Sequence, residues 1–95
     1  MPQTNKLSNY RTTWIDNGTK GSVVYAHTQI VNWEDGKITL NSDGWETVTT
    51  KRKMNQAAQQ FALGYSVYQK AHKWYVVTPT GQTLLYCDNM TFDRY

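Results

Sequence analysis

VTTKRKMNQAAQQFALG, residues 48–64, is the stretch on which the fold turns. Met54, Ala57, Ala58, Phe61 and Ala62 recur at i, i+3, i+4, i+7 and i+8, which gathers them on one side of a 3.6-residue period. Thr49 or Thr50 is placed to cap the start with its hydroxyl, and Gly64 to take the left-handed conformation just past the end. The pattern predicts an amphipathic helix over about residues 50–63. Its apolar face needs a sheet to cover.

The flanks supply one. Upstream, residues 10–15 (YRTTWI) are rich in β-formers, and Asp16-Asn17-Gly18 follows as a turn, widened by Thr19-Lys20-Gly21. Residues 22–33 (SVVYAHTQIVNW) are too long for one flat strand and are expected to bend near Ala26 or His27, as one kinked strand or as two. Asp35-Gly36 is a two-residue hairpin signal that pairs Glu34 with Lys37, Trp33 with Ile38, Asn32 with Thr39 and Val31 with Leu40. Ser42-Asp43-Gly44 turns the chain again before the helix.

Downstream, YSVYQK (65–70), KWYVVT (73–78) and TLLYCD (83–88) read as strands, separated by Ala71-His72 and by Pro79-Thr80-Gly81. In the middle one, either Trp74 and Val76 face the helix or Tyr75 and Val77 do. Residues 89–95 read as a short tail in which Met90 and Phe92 pack, and residues 1–9 as a flexible one. The expected fold is therefore α+β: one domain over residues 1–95, with a mostly antiparallel sheet of about six to seven short strands on a single helix.

Composition narrows the setting. Ninety-five residues bury somewhat over ~60% of their unfolded surface, enough for one core, and thirteen aromatics help to fill it. A lone cysteine, Cys87, excludes an internal disulfide and is expected to be buried on the closing strand. The polar start MPQTNKLSNY has no apolar run of a leader, and no apolar run exceeds four residues, so neither export nor a membrane span is expected. The net charge of +3 permits an anionic partner without demanding one.

The runs GWETVTTKRKMNQ (44–56), FALGYSVYQK (61–70) and WYV (74–76), with IVNW and ITLNSDGW upstream (30–33 and 38–45), resemble a family of short proteins encoded by tailed bacteriophages. The resemblance covers roughly residues 28–92. It implies a phage origin and a host-cytoplasm setting, and it brings no functional residue with it.

The site reading rests on the residues themselves. Lys51-Arg52-Lys53 sits in the first turn of the helix, where the macrodipole disfavours cations and free backbone N–H groups attract anions. The triad, with the hydroxyl of Thr50, is either an anion contact or a solvated turn. Trp45, Trp74, Tyr65, Tyr68 and Tyr75 interleave with Lys51, Arg52, Lys70 and Lys73, a mixture that grips single-stranded nucleic acid by stacking and charge neutralisation when the rings face out, and builds a core when they face in. His27, His72 and Cys87 lack the spacing of a metal site or nucleophile pair, the carboxylates fall mostly in turns, and no phosphate-binding glycine loop is present. No catalytic residue, metal or cofactor is expected. The chain reads as a non-enzymatic binding protein, with nucleic acid as partner or, alternatively, a host protein such as a defence complex or polymerase.

Overall fold

The computed structural model describes residues 11–44 and 47–94. In chain order these hold β1 (Thr12–Asp16), β2 (Gly21–Tyr25), β3 (Thr28–Glu34), β4 (Lys37–Leu40), α1 (Val48–Gln60), β5 (Ser66–Lys70), β6 (Lys73–Val77), β7 (Thr83–Leu85) and β8 (Met90–Asp93). Every pairing is antiparallel. The strands form two sheets, β1-β2-β3-β4-β8 and β5-β6-β7, and the α+β class is as expected.

The Asp35-Gly36 hairpin has the expected register, Glu34↔Lys37 through Val31↔Leu40. Asp35 (φ 54°) and Gly36 (φ 76°) are both left-handed, the pair of conformations that a type I′ turn needs to match strand twist. The long upstream run divides at Ala26-His27 into β2 and β3, with the register shifting between Val23 and Val24. A four-residue loop joins Asp16 to Gly21.

Three expectations change. Residues 90–93 are a strand and not a tail: β8 pairs with β4, bringing Met90 opposite Leu40 and Phe92 opposite Ile38 on the inner face. On the outer face Lys37 pairs with Asp93, and the hydroxyls of Thr39 and Thr91 meet at 3.0 Å. Cys87 is exposed, because β7 ends at Leu85 and the chain has left the ladder by residue 87. The helix also begins earlier than expected. Thr47 is its cap, accepting the Thr50 N–H at 3.2 Å, and the turn at the other end uses Ala62 (φ 54°), with the Leu63 N–H on the Ala58 carbonyl at 3.0 Å. Gly64 is left-handed too (φ 83°), but it lies two residues beyond that cap and close to Pro79.

One core unites the two sheets and the helix. Val23, Val31, Trp33, Ile38 and Leu40 come from the larger sheet, Val67, Trp74 and Val76 from the smaller, and Met54, Ala57 and Ala58 from α1. Trp74 and Val76 therefore face inward, which turns Tyr75 and Val77 out. Phe61 closes the helix face by packing on Trp33, ring centroids 4.9 Å apart, while Ala62 is exposed beyond the last helical turn.

Two polar links fasten the helix to the strand that follows it. The Asn55 amide donates to the Val67 carbonyl at 2.8 Å and accepts the Val67 N–H at 2.7 Å. The Tyr65 hydroxyl, buried, donates to the Met54 carbonyl at 2.6 Å. Burial pushes the Tyr65 hydroxyl pKa far up, so it remains a proton donor. Among the described residues no helix is long and apolar enough to cross a membrane.

Gly21 gives a sharp test of this packing. A Cβ there would overlap both the Trp33 ring and the Ile15 carbonyl, and neither the buried ring nor the backbone can yield cheaply. Gly21→Ala is expected to destabilise the fold by at least the ~1–3 kcal/mol typical of an overpacked core, lowering Tm by roughly 4–8 °C per kcal/mol in a domain of this size. A Tm within error of wild type would mean that the Gly21–Trp33 contact is absent in solution.

Candidate functional site

The structure sends Tyr65 and Trp74 into the core and separates the other described residues singled out from the sequence into two places. Tyr68, Tyr75, Lys70 and Lys73 share the outer face of the β5-β6-β7 sheet. Thr50, Lys51, Arg52 and Lys53 surround the start of α1. Trp45 lies outside the described residues.

On the sheet, register orders the side chains into rows. Tyr68 stands opposite Tyr75, and Tyr75 opposite Leu85, so a stripe of two rings and an aliphatic side chain crosses all three strands. The rings stack with centroids 5.4 Å apart and planes 21° from parallel. Tyr68 is 39% exposed and Leu85 is 59% exposed, while Tyr75 between them is half-buried. The next row toward the hairpin tip is Lys70 opposite Lys73, and the row on the other side is Ser66, Val77 and Thr83. Like charges directly opposite on a sheet repel. Neither lysine has an ion pair among the described residues, in contrast to Lys20 with Glu34 and Lys37 with Asp93. The turn that joins them, Ala71 (φ 52°) and His72 (φ 65°), holds two non-glycine residues in left-handed backbone and places His72 at the tip.

At the helix start the triad divides. Arg52 is exposed and Lys51 half-buried, but Lys53 is only 4% exposed. Its ammonium lies 5.1 Å from the centre of the Tyr25 ring, a cation–π contact, and desolvation lowers its pKa. The sequence holds the signal for this. Lys53 is four residues before Ala57 and three after Thr50, on the same face as the apolar stripe. Thr50 is buried too, its hydroxyl 3.1 Å from that of Thr47.

Beside this helix start opens a cleft of about 390 Å³ between the β2–β3 hairpin tip and the connection from β4 to α1. Tyr25, His27 and Ile30 line one side, Ser42, Thr47 and Thr50 another, with Arg11 and Asp43 also at its walls. Asp88, which the sequence places at the end of a closing strand and the structure in a turn, fixes part of this wall from the far end of the chain. Its carboxylate accepts from the Ser42 N–H at 3.0 Å, the Ser42 hydroxyl at 2.7 Å, the Gly44 N–H at 3.0 Å and the Tyr86 hydroxyl at 2.6 Å. Partial burial alone would raise the Asp88 pKa. The hydrogen bonds from Tyr86, Ser42 and Gly44 outweigh it and hold the carboxyl below the ordinary range.

The family model described as Kyanoviridae Gp96 protein matches residues 2–93, and the chain belongs to that family of short phage-encoded proteins. No curated protein and no solved structure matches it.

Two outcomes test this geometry. Because the Asp88 pKa is lowered on folding, its contribution is present in full above the unfolded value near ~3.9 and fades as pH falls through the lower folded value. Thermal melts of wild type and Asp88→Asn are expected to differ at neutral pH and to converge in strong acid; a gap that stays constant to low pH would show that the carboxylate charge is not what holds Ser42 and Gly44. At the helix start, Arg52→Glu is expected to keep or raise stability by about 0.3–1 kcal/mol, since it places an acid on the positive end of the dipole. Lys53→Glu should instead lower Tm by several degrees, because its carboxylate would be buried against the face of Tyr25, while Lys53→Met, which keeps the apolar contact, should lower it less. Equal tolerance of glutamate at both positions would place Lys53 in solvent.

Proposed function

We propose that this phage-encoded protein is a non-enzymatic binding module of the host cytoplasm, and that its partner is single-stranded nucleic acid laid across the outer face of β5-β6-β7. The observation that carries this reading is the stacked Tyr68–Tyr75 pair with the Lys70–Lys73 pair one row away on the same face. Bases of any sequence can stack on such rings, while two ammonium groups neutralise the backbone. The juxtaposed lysines make physical sense with an anion between them. Without one, the repulsion costs the hairpin stability for nothing.

The half-buried and buried members of the helix triad contribute little to such a surface. Lys53 and Thr50 are committed to the interior, and Lys51 and Arg52 stand at the helix start, away from this face, so the reading does not draw on the basic triad. A second reading has one observation in its favour. Leu85, 59% exposed, extends the ring pair into an apolar stripe that would also suit a host-protein partner anchored by aromatic side chains.

Salt separates the two. Labelled oligothymidylate titrated at about 50 and 200 mM salt should bind more weakly at the higher concentration, with a slope of roughly 0.7 per phosphate neutralised. Tyr68→Ala should lose about 1–3 kcal/mol of affinity if its ring stacks on a base. The Lys70→Gln, Lys73→Gln double variant should flatten the salt slope by more than one unit in log–log form. Absence of oligonucleotide binding by wild type at low salt would eliminate this partner and leave the protein-binding reading of the same face.

A further inference from the structure

The geometry points to the cleft beside the helix start as a second, separate site, one that takes a nucleoside monophosphate. Its size is suitable: about 390 Å³ lies within the ~300–1,000 Å³ of ordinary small-molecule pockets. Its walls divide by chemistry as such a ligand does. The half-buried Tyr25 offers an aromatic surface to a base, and the exposed Arg11 offers a guanidinium to a phosphate, with His27 and Thr28 alongside as further polar partners. Among the described lining residues Asp43 is the one carboxylate. The first turn of α1, beside the cleft, carries no acid.

Both walls are held in advance of any ligand. The Ala26 N–H donates to the Arg11 carbonyl at 2.7 Å, which ties the residue bearing the guanidinium to the hairpin tip. Arg11 (φ 50°) and Ala26 (φ 58°) are both left-handed, a conformation that neither residue type favours and that the surrounding contacts must enforce. On the opposite side the two Asp88–Ser42 hydrogen bonds fix Ser42. A prearranged cleft loses less on binding than one that must order itself.

A free mononucleotide and the 5′-phosphate end of a strand present the same chemistry, and the experiment distinguishes them. Amide NMR spectra of the wild-type protein would be followed during titration with adenosine 5′-monophosphate, adenosine and inorganic phosphate. Adenosine 5′-monophosphate is expected to shift the amides of His27, Thr28 and Thr50 saturably, with adenosine and phosphate each at least about tenfold weaker because each lacks one half of the contacts. Arg11→Gln, whose backbone link to Ala26 is retained, should weaken the monophosphate at least about tenfold without moving Tm, and His27→Gln should weaken it less. Tyr68→Ala should leave it unchanged, so the outcome does not depend on the sheet platform. Oligothymidylate with and without a 5′-phosphate then identifies the source: shifts at the cleft that require the terminal phosphate assign it to a strand end, and equal spectra assign it to the free nucleotide. Unshifted cleft amides at several millimolar monophosphate overturn the proposal. So does equal binding by Arg11→Gln, or by adenosine alone.

Discussion

A single side-chain amide completes the join between the helix and the smaller sheet. β5 is an edge strand, and an edge presents backbone donors and acceptors that must go to something. Asn55 answers one N–H and one C=O of Val67 together, much as a neighbouring strand would. An alanine at 55 would leave both buried groups unpaired, each at a cost of roughly 1–3 kcal/mol, a large share of what a small domain has in reserve. The Tyr65 hydroxyl repeats the arrangement from the strand side, on the carbonyl of Met54. Neighbouring helix residues thus pin the start of β5, and the β5-β6-β7 sheet inherits its orientation from them. The outward turn of Tyr68, Lys70, Lys73 and Tyr75 follows from that orientation, since Val67, Trp74 and Val76 are committed to the core.

The same residues explain how far a local reading of the sequence reaches. The Asp35-Gly36 hairpin was legible to the residue pair because a two-residue turn fixes register and the alternation of Val31, Trp33, Ile38 and Leu40 agrees with it. The helix was legible from its period. β8 was not, because its partner β4 is some fifty residues away in sequence and no turn signal announces the pairing. The division of one sheet into two escapes for the same reason: strand order is a long-range property, and the sequence between strands does not record it. Asn55 and Asp88 were invisible as organising residues, since an amide in a helix and a carboxylate at a strand end are ordinary until their distant partners are known.

The candidate surface was legible in part. Stripe and lysine row were within reach once the inward set of β6 was known, and alternation offered only the two choices. The basic triad was misleading as a unit. Three consecutive residues on a helix span about 200° of its circumference, so they cannot share one environment. Arg52 faces solvent, and Lys53, in step with Met54 and Ala57, lies against Tyr25. A charge run on a helix is best read residue by residue against the apolar stripe.

Backbone conformation joins the two surfaces in an unexpected way. Asp35, Asp43 and Asn89 are left-handed, as short polar side chains readily are, and Ala62 closes the helix. Among the described residues, the remaining non-glycine ones with positive φ are Arg11, Ala26, Ala71 and His72. Arg11, Ala26 and Ala71 are of types that do not adopt this conformation cheaply, histidine is found in it more often, and glycine would relieve each. They fall at two tips only, the hairpin end that walls the cleft and the hairpin end that bears Lys70 and Lys73. At the first, a hydrogen bond between Arg11 and Ala26 fastens the strained pair together. At the second, the two strained residues are adjacent and hold the two lysines directly opposite each other. Elsewhere the fold gives its tightest turns to glycine, at Gly18, Gly36, Gly44 and Gly81, so the chain has the means to avoid strain. At each tip the strained pair stands beside charge, with Arg11 at the first and Lys70 and Lys73 flanking the second.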